Sequence, residues 1–264
     1  MDLVWIVPLG LVVGVVVGSL GGGGAIITVP ILVYLLHQDP SAATTGSLII
    51  VALTSLVGMI PHRRAGRVRI KDGLLLGGLG VVGSFAGSAL NHAVPEPVLM
   101  TAFAALLFVV AALMTRKRRR AASDAASGIT REAGERRGLP ALIAAATGVG
   151  LLTGFFGVGG GFAVVPALVL VLGFTMPVAV GTSLLVIVVN SITALAARAG
   201  VGLEVDWSVI LPFSVFGAAG SLLGAKVAQK VDEQKLNLGF TILLVAVACF
   251  VAYENVPDLL HLLR

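Results

Sequence analysis

The sequence predicts an all-α polytopic membrane protein made of two homologous halves, and three observations predict it. Of 264 residues, 57% are hydrophobic and only 12% are charged, and the mean hydropathy of +1.04 lies far from that of soluble domains. Apolar stretches long enough to cross about 30 Å of hydrocarbon recur along the chain. A glycine run interrupts one such stretch near the N-terminus and occurs again in the second half. The first copy, Gly18-Ser19-Leu20-Gly21-Gly22-Gly23-Gly24, leads to Pro30; the second, Gly154-Phe155-Phe156-Gly157-Val158-Gly159-Gly160-Gly161, leads to Pro166.

The first apolar stretch, Leu3 to Leu36, would make one helix of about 50 Å, too long for a single straight crossing. Glycine costs about 1 kcal/mol per residue inside a helix, so the run should divide this stretch. The expectation is a helix from Leu3 to Ser19, a break, and a shorter helix from Ala25 to Leu36. Gly10, Gly14 and Gly18 fall on one helical face, where a second helix can approach closely.

A second segment runs from Ser41 to Ile60, followed by the basic loop from Pro61 to Lys71. Asp72 caps or precedes a helix to Leu90 that is rich in glycine. Pro95 and Pro97 open another helix reaching Met114. Residues 116–138, beginning Arg116-Lys117-Arg118-Arg119-Arg120, form a polar linker between a first repeat at 1–115 and a second at 139–264.

The second half repeats this order. Its first stretch, Leu139 to Leu172, is broken at Gly157 to Gly161. The segment Pro177 to Ala197 parallels Ser41 to Pro61, Asp206 parallels Asp72, Gly220-Ser221 parallels Gly83-Ser84, and a final helix spans Leu236 to Tyr253. Each half therefore holds a glycine-broken first stretch and three further spans. The loop at 61–71 is basic and the loop at 91–97 is not, whereas in the second half the bias at the equivalent loops shifts sign. Opposite bias favours inverted repeats over parallel ones.

Charge and cysteine content exclude several classes. The net charge of +5 could suggest nucleic acid, but thirteen of the eighteen Lys and Arg lie in the loops at 61–71 and 116–138. That is the positive-inside asymmetry of a plasma-membrane protein, and no nucleic-acid partner is expected. The lone Cys249 excludes an internal disulfide. Met1-Asp2-Leu3 lacks the basic region of a signal peptide, so the first segment is expected to be retained.

The helix after each break begins with unpaired N–H groups and the positive end of its dipole, a combination that binds anions. Backbone donors near Gly22, Gly23, Gly24 and Ala25, and near Val158, Gly159, Gly160, Gly161 and Phe162, are the candidate site. Thr44, Thr45 and Ser47, with Thr182 and Ser183 in the other half, supply neutral hydroxyls nearby. Thr54 and Ser55 recur as Asn190 and Ser191. The competing role for such hydroxyls is bonding to their own helix backbone. No Asp, Glu, Lys or Arg lies in mid-span, and His62, His92, Arg198 and Lys226 lie at or near ends. There is no HExxH, cysteine cluster, GxSxG or GK[ST] ending, so neither an enzyme nor a cofactor is expected.

Gly154 to Pro166, with its looser copy at Gly18 to Pro30, the following Gly181-Thr182-Ser183, the linker and the chain length together resemble the TauE/SafE family of sulfite exporters. The first copy departs from the pattern, with Ala25 and Ile26 where the second has Gly161 and Phe162. The resemblance implies a multi-pass bacterial inner-membrane permease that moves small sulfur-containing anions such as sulfite or organosulfonates. A channel-like anion pathway driven by membrane potential is the alternative. A membrane-embedded enzyme or oxidase subunit would need a redox or metal constellation. The glycine-rich faces allow close packing within one protomer or in a homodimer within the lipid bilayer.

Overall fold

The computed structural model describes residues 3–91, 94–126, 139–156, 161–198 and 205–262. The described chain is helical and contains no strand. It comprises α1 (Leu3–Leu20), α2 (Gly23–Pro30) with a π-helical turn Ile31–Leu35, α3 (Pro40–Arg64), α4 (Ile70–Asn91) and α5 (Glu96–Ala126). After the linker come α6 (Leu139–Phe156), α7 (Gly161–Pro166) with a π-helical turn Ala167–Val171, α8 (Met176–Arg198), α9 (Trp207–Lys230) and α10 (Glu233–Leu262). Among the described residues six helices are long and apolar enough to cross a bilayer: α3, α4 and α5, then α8, α9 and α10.

The first stretch breaks at Gly21, whose φ of +72° is left-handed. Its N–H donates to the Val17 carbonyl at 2.8 Å, closing α1 as glycine caps do. The helix that follows widens after its proline: Leu36 N–H donates to Ile31 O, five residues back, at 3.1 Å. Leu172 N–H does the same to Ala167 O at 3.2 Å. Pro30 and Pro166 have no N–H for the carbonyl four residues back, so the ladder loosens at the same place in both halves.

Glycine stripes hold the spans together. A Cβ on Gly14 would strike the Gly217 carbonyl, and one on Gly18 the Ser221 carbonyl. In the other half Gly150 lies in the same way on Gly80, and Gly154 on Ser84. The reciprocal contacts, Gly220 on Leu11 and Gly224 on Val15, recur as Gly83 on Thr147 and Gly87 on Leu151. So α1 runs parallel to α9, and α6 runs parallel to α4. Gly46 against Ile210 and Gly58 against Ser221 place α3 beside α9 in the same direction. Gly73 against Leu185 and Gly77 against Val189 do likewise for α4 and α8.

The loops segregate to two ends of α3 and α9. At one end Gln38 Nε2 donates to Asp206 at 3.4 Å. At the other, the turn after α3 reaches α9, α8 and the loop before α8. Arg67 donates to the carbonyls of Ala228 and Gln229, at 3.3 and 3.5 Å. Arg69 N–H donates to Thr182 Oγ1 at 3.1 Å, and its guanidinium lies 4.6 Å from the centre of the Phe174 ring. Lys117 Nζ bonds the Val169 carbonyl at this same end, and Glu233 Oε1 accepts the Met176 N–H at 2.8 Å. This end gathers Arg63, Arg64, Lys71, Lys226, Lys230 and Lys235 as well.

One local difference from expectation concerns α5. The helix does not stop at Met114 but continues to Ala126, through the basic run. Arginine, lysine and alanine are strong helix formers, and polarity alone does not end a helix. Residues 127–138 of the linker lie outside the described residues. Buried side chains form two clusters, one around Phe103, Phe156 and Phe162 and the other around Ile6, Val13, Ile50 and Phe213. Exposed Val82, Phe85, Leu211, Val215 and Ile242 face outward, as lipid contact requires.

The glycines differ in what surrounds them, so their substitutions should differ. Gly14→Ala forces a methyl into the backbone of α9, with an expected loss of about 1–3 kcal/mol or of folded protein altogether. Nothing lies within 4 Å of a Cβ on Gly148, so Gly148→Ala should be neutral or stabilising by up to about 1 kcal/mol. Thermal unfolding of the two variants in detergent checks both.

Candidate functional site

The first break meets the start of α7 backbone to backbone. A Cβ on Gly161 would lie 2.6 Å from the Gly22 carbonyl oxygen, and one on Gly22 would overlap the Gly161 carbonyl. Only residues without side chains allow this approach. Gly21 packs on the first turns of α8: a Cβ there would contact the Ser183 hydroxyl and lie 3.3 Å from Val180 O. Gly22 caps α2 without a side-chain hydrogen bond, so the first N–H groups of α2 receive no side-chain acceptor from their cap.

The predicted residues are distributed as follows. Gly22, Gly24, Gly161 and Phe162 are buried at the junction. Gly23 and Ala25 lie in the first turn of α2. Val158, Gly159 and Gly160 lie outside the described residues. Phe162 stands edge-on to Phe103 at 4.9 Å, so its ring belongs to the core.

The Ser183 and Ser47 hydroxyls are turned to their own helices, whereas Thr182 is held across the molecule. Ser183 is fully buried and its hydroxyl donates to Val180 O at 2.8 Å. Ser47 is buried and donates to Thr44 O, also at 2.8 Å. Thr182 Oγ1 accepts from the Arg69 N–H. Of these, the described contacts bring Ser183 directly to the first break; Thr182 adjoins it in sequence, and Ser47 lies on α3. Thr54 donates to Ile50 O at 2.8 Å, and its own carbonyl accepts the Ser221 hydroxyl at 2.7 Å. The buried oxygens of Ser55 in α3 and Asn190 in α8 have no hydrogen-bond partner.

The sequence placed His62 among residues at helix ends, but the fold buries it completely, at 0% exposure. Its Nε2 lies 2.9 Å from the Gly18 carbonyl, in the last turn of α1, and its Nδ1 is buried without a partner. The signal available in the sequence was its spacing: His62 follows Gly58 by one turn, on the face that Gly58 presses against Gly18. Among the described residues no group of three His, Cys, Asp or Glu could hold a metal ion.

This arrangement offers backbone donors and a buried imidazole between helices, with no acidic or basic side chain in mid-span. Residues 6–251 match the family described as Sulfite exporter TauE/SafE. The chain is 30% identical over 261 residues to a probable membrane transporter protein of Xylella fastidiosa (strain 9a5c), covering 96% of each. It is 30% identical over 276 residues to the probable membrane transporter protein YunE of Bacillus subtilis (strain 168), covering 97% of this chain and 99% of that one. A probable membrane transporter protein of Methanocaldococcus jannaschii is 24% identical over 255 residues, with 90% and 92% covered. With six candidate membrane spans among its described residues and a match over nearly its whole length, this chain is a multi-pass membrane transporter, not an enzyme, and belongs to the TauE/SafE sulfite exporter family.

Proposed function

We propose that this transporter carries small sulfur-containing anions, such as sulfite or organosulfonates, bound between the two helix breaks and exposed alternately to either side. The observation that carries this reading is the contact of Gly22 with Gly161. It brings the starts of α2 and of the helical segment Gly161–Val171 together, both apolar and without a charged residue. Backbone N–H groups and helix dipoles favour a tetrahedral or pyramidal oxyanion there and supply no fixed charge that would hold it permanently. The sulfur chemistry rests on the family description.

Alternating access follows from an inverted-repeat reading of the helix directions. In that reading α1, α3 and α9 point one way and α4, α6 and α8 the other, so equivalent helices of the two halves are antiparallel. The contacts of Arg67 and Arg69 with the second half, at the basic end, support it, as does the Gln38–Asp206 contact at the opposite end. Rocking one half against the other would then open the breaks to each side in turn.

Purified protein titrated with sulfite, sulfate, thiosulfate, sulfoacetate and taurine, with chloride as control, should show saturable thermal stabilisation by at least one sulfur anion. Gly161→Ala should abolish it. Because the Ser47 hydroxyl is committed to its own helix, Ser47→Ala should change affinity by less than about threefold. Stabilisation unchanged in Gly161→Ala would defeat the paired-break site, and flux that never saturates would favour a channel. Topology has its own check in a Cys249→Ala background. Ala65→Cys and Gln234→Cys should react with an impermeant maleimide only from the cytoplasmic side, and Gln38→Cys, at the other end of α3, only from outside; Gln234→Cys reacting from the side opposite Ala65→Cys would rule out inverted repeats.

A further inference from the structure

We propose that His62 is a proton-binding residue of the transport pathway, loaded together with the anion so that the two cross as a pair. This rests on the anion site at the breaks. His62 extends from α3 into the space between the last turn of α1 and the first turns of α8. Its Nε2 meets Gly18 O at 2.9 Å, three residues before the left-handed Gly21. A Cβ on Gly181 would lie 3.2 Å from the His62 Cβ, two residues before the Ser183 that touches Gly21. The imidazole thus adjoins the first break through both of its neighbours.

The hydrogen bond assigns the proton. A carbonyl can only accept, so Nε2 carries the hydrogen and Nδ1 of the neutral ring is a bare acceptor. Nδ1 is enclosed in a residue of 0% exposure and has no partner. Buried acceptors without donors are rare in folded proteins, and they concentrate where a ligand or proton completes them.

The surrounding charges are of one sign near the ring. α1 carries no ionisable residue, and the one on α8, Arg198, closes its far end. On the turn after α3, Arg67 faces the end of α9, and Arg63 and Arg64 on α3 itself are exposed. On α9, Lys226 and Lys230 are exposed. On α4, Asp72 is 3.7 Å from Arg69 and so is already paired. At the same end of the molecule, Glu233 on α10 accepts the Met176 N–H, and Asp232 just before it lies 3.7 Å from Lys235. Among the described residues of α1, α3, α4, α8 and α9 no carboxylate is left to balance an imidazolium, so an anion at the break is the group that stabilises it. A proton from water adds to the Nδ1 lone pair as the anion arrives, no other bond changes, and the proton returns to water when the anion leaves. By reciprocity, each ligand strengthens the binding of the other.

The test uses the full-length protein in detergent and whichever non-titrating anion stabilises it, thiosulfate and sulfate first; sulfite is avoided because it titrates near neutral pH. Calorimetry in two buffers of different ionisation enthalpy should give close to one proton taken up per anion bound. Affinity should fall about tenfold per pH unit over the upper part of the range from pH 5 to 8. His62→Gln keeps a donor for Gly18 O and cannot take a proton, so it should bind with a flat pH profile. No proton uptake by the wild-type protein overturns the proposal without recourse to any variant, as does an unchanged pH profile in His62→Gln. If no anion of the series stabilises the wild type at any pH, the anion site falls and this proposal with it; pH-independent anion binding removes only the role of His62.

Discussion

Apolar helices in a bilayer gain little by leaving lipid for one another, so what holds this protein together is how closely its backbones approach. The missing Cβ atoms of Gly14, Gly18, Gly220 and Gly224 let α1 and α9 lie against each other's carbonyls. Gly150, Gly154, Gly83 and Gly87 do the same for α6 and α4. Each of these pairs joins the first helix of one half to the fourth of the other. These contacts bring the starts of α2 and α7 to a shared centre, where Gly22 meets Gly161. Everything at the candidate site depends on that exchange.

A break at membrane depth leaves backbone groups without partners, and the protein answers this differently at each end of the broken stretches. At the end of α1, Gly21 folds its own N–H back onto Val17, and the imidazole of His62 reaches across from α3 to the Gly18 carbonyl. At the far end of the second stretch the π-helical turn frees a carbonyl at Val169, and the Lys117 ammonium takes it. A cation at a helix C-terminus also suits the helix dipole. At the start of α2 the cap, Gly22, offers no side-chain acceptor. The polarity of the helix makes those donors suited to an anion.

The basic end does more than orient the chain. Its arginines grip the second half: Arg67 at the end of α9, Arg69 at Thr182 and Phe174. Residues whose number and placement suggest topology alone are thereby structural ties between halves. Any rocking of one half on the other would have to loosen these contacts or carry them along. Both arginines belong to the basic turn after the apolar span of α3, where charge is tolerated and hydrogen bonds can be exchanged for water.

Sequence alone determined the membrane class, the break after the first apolar stretch, six further spans and the family, because the first three rest on local physics and the family on motifs that can be read along the chain. Hydrocarbon thickness sets span length, and Gly21 to Gly24 cannot continue a helix whatever surrounds them. Helix ends were legible less well: α5 ran past Met114 because arginine and alanine are as compatible with helix as with linker. What only the tertiary structure decided was partnership. That Gly22 meets Gly161, that Ser47 and Ser183 spend their hydroxyl protons on their own helices, and that His62 is sealed beside Gly18 all depend on which helix packs on which. Glycine stripes announce that some close contact forms, but a stripe has no side chain to specify its partner. The register that joins α1 to α9 and α6 to α4 emerges only when all the faces are packed together.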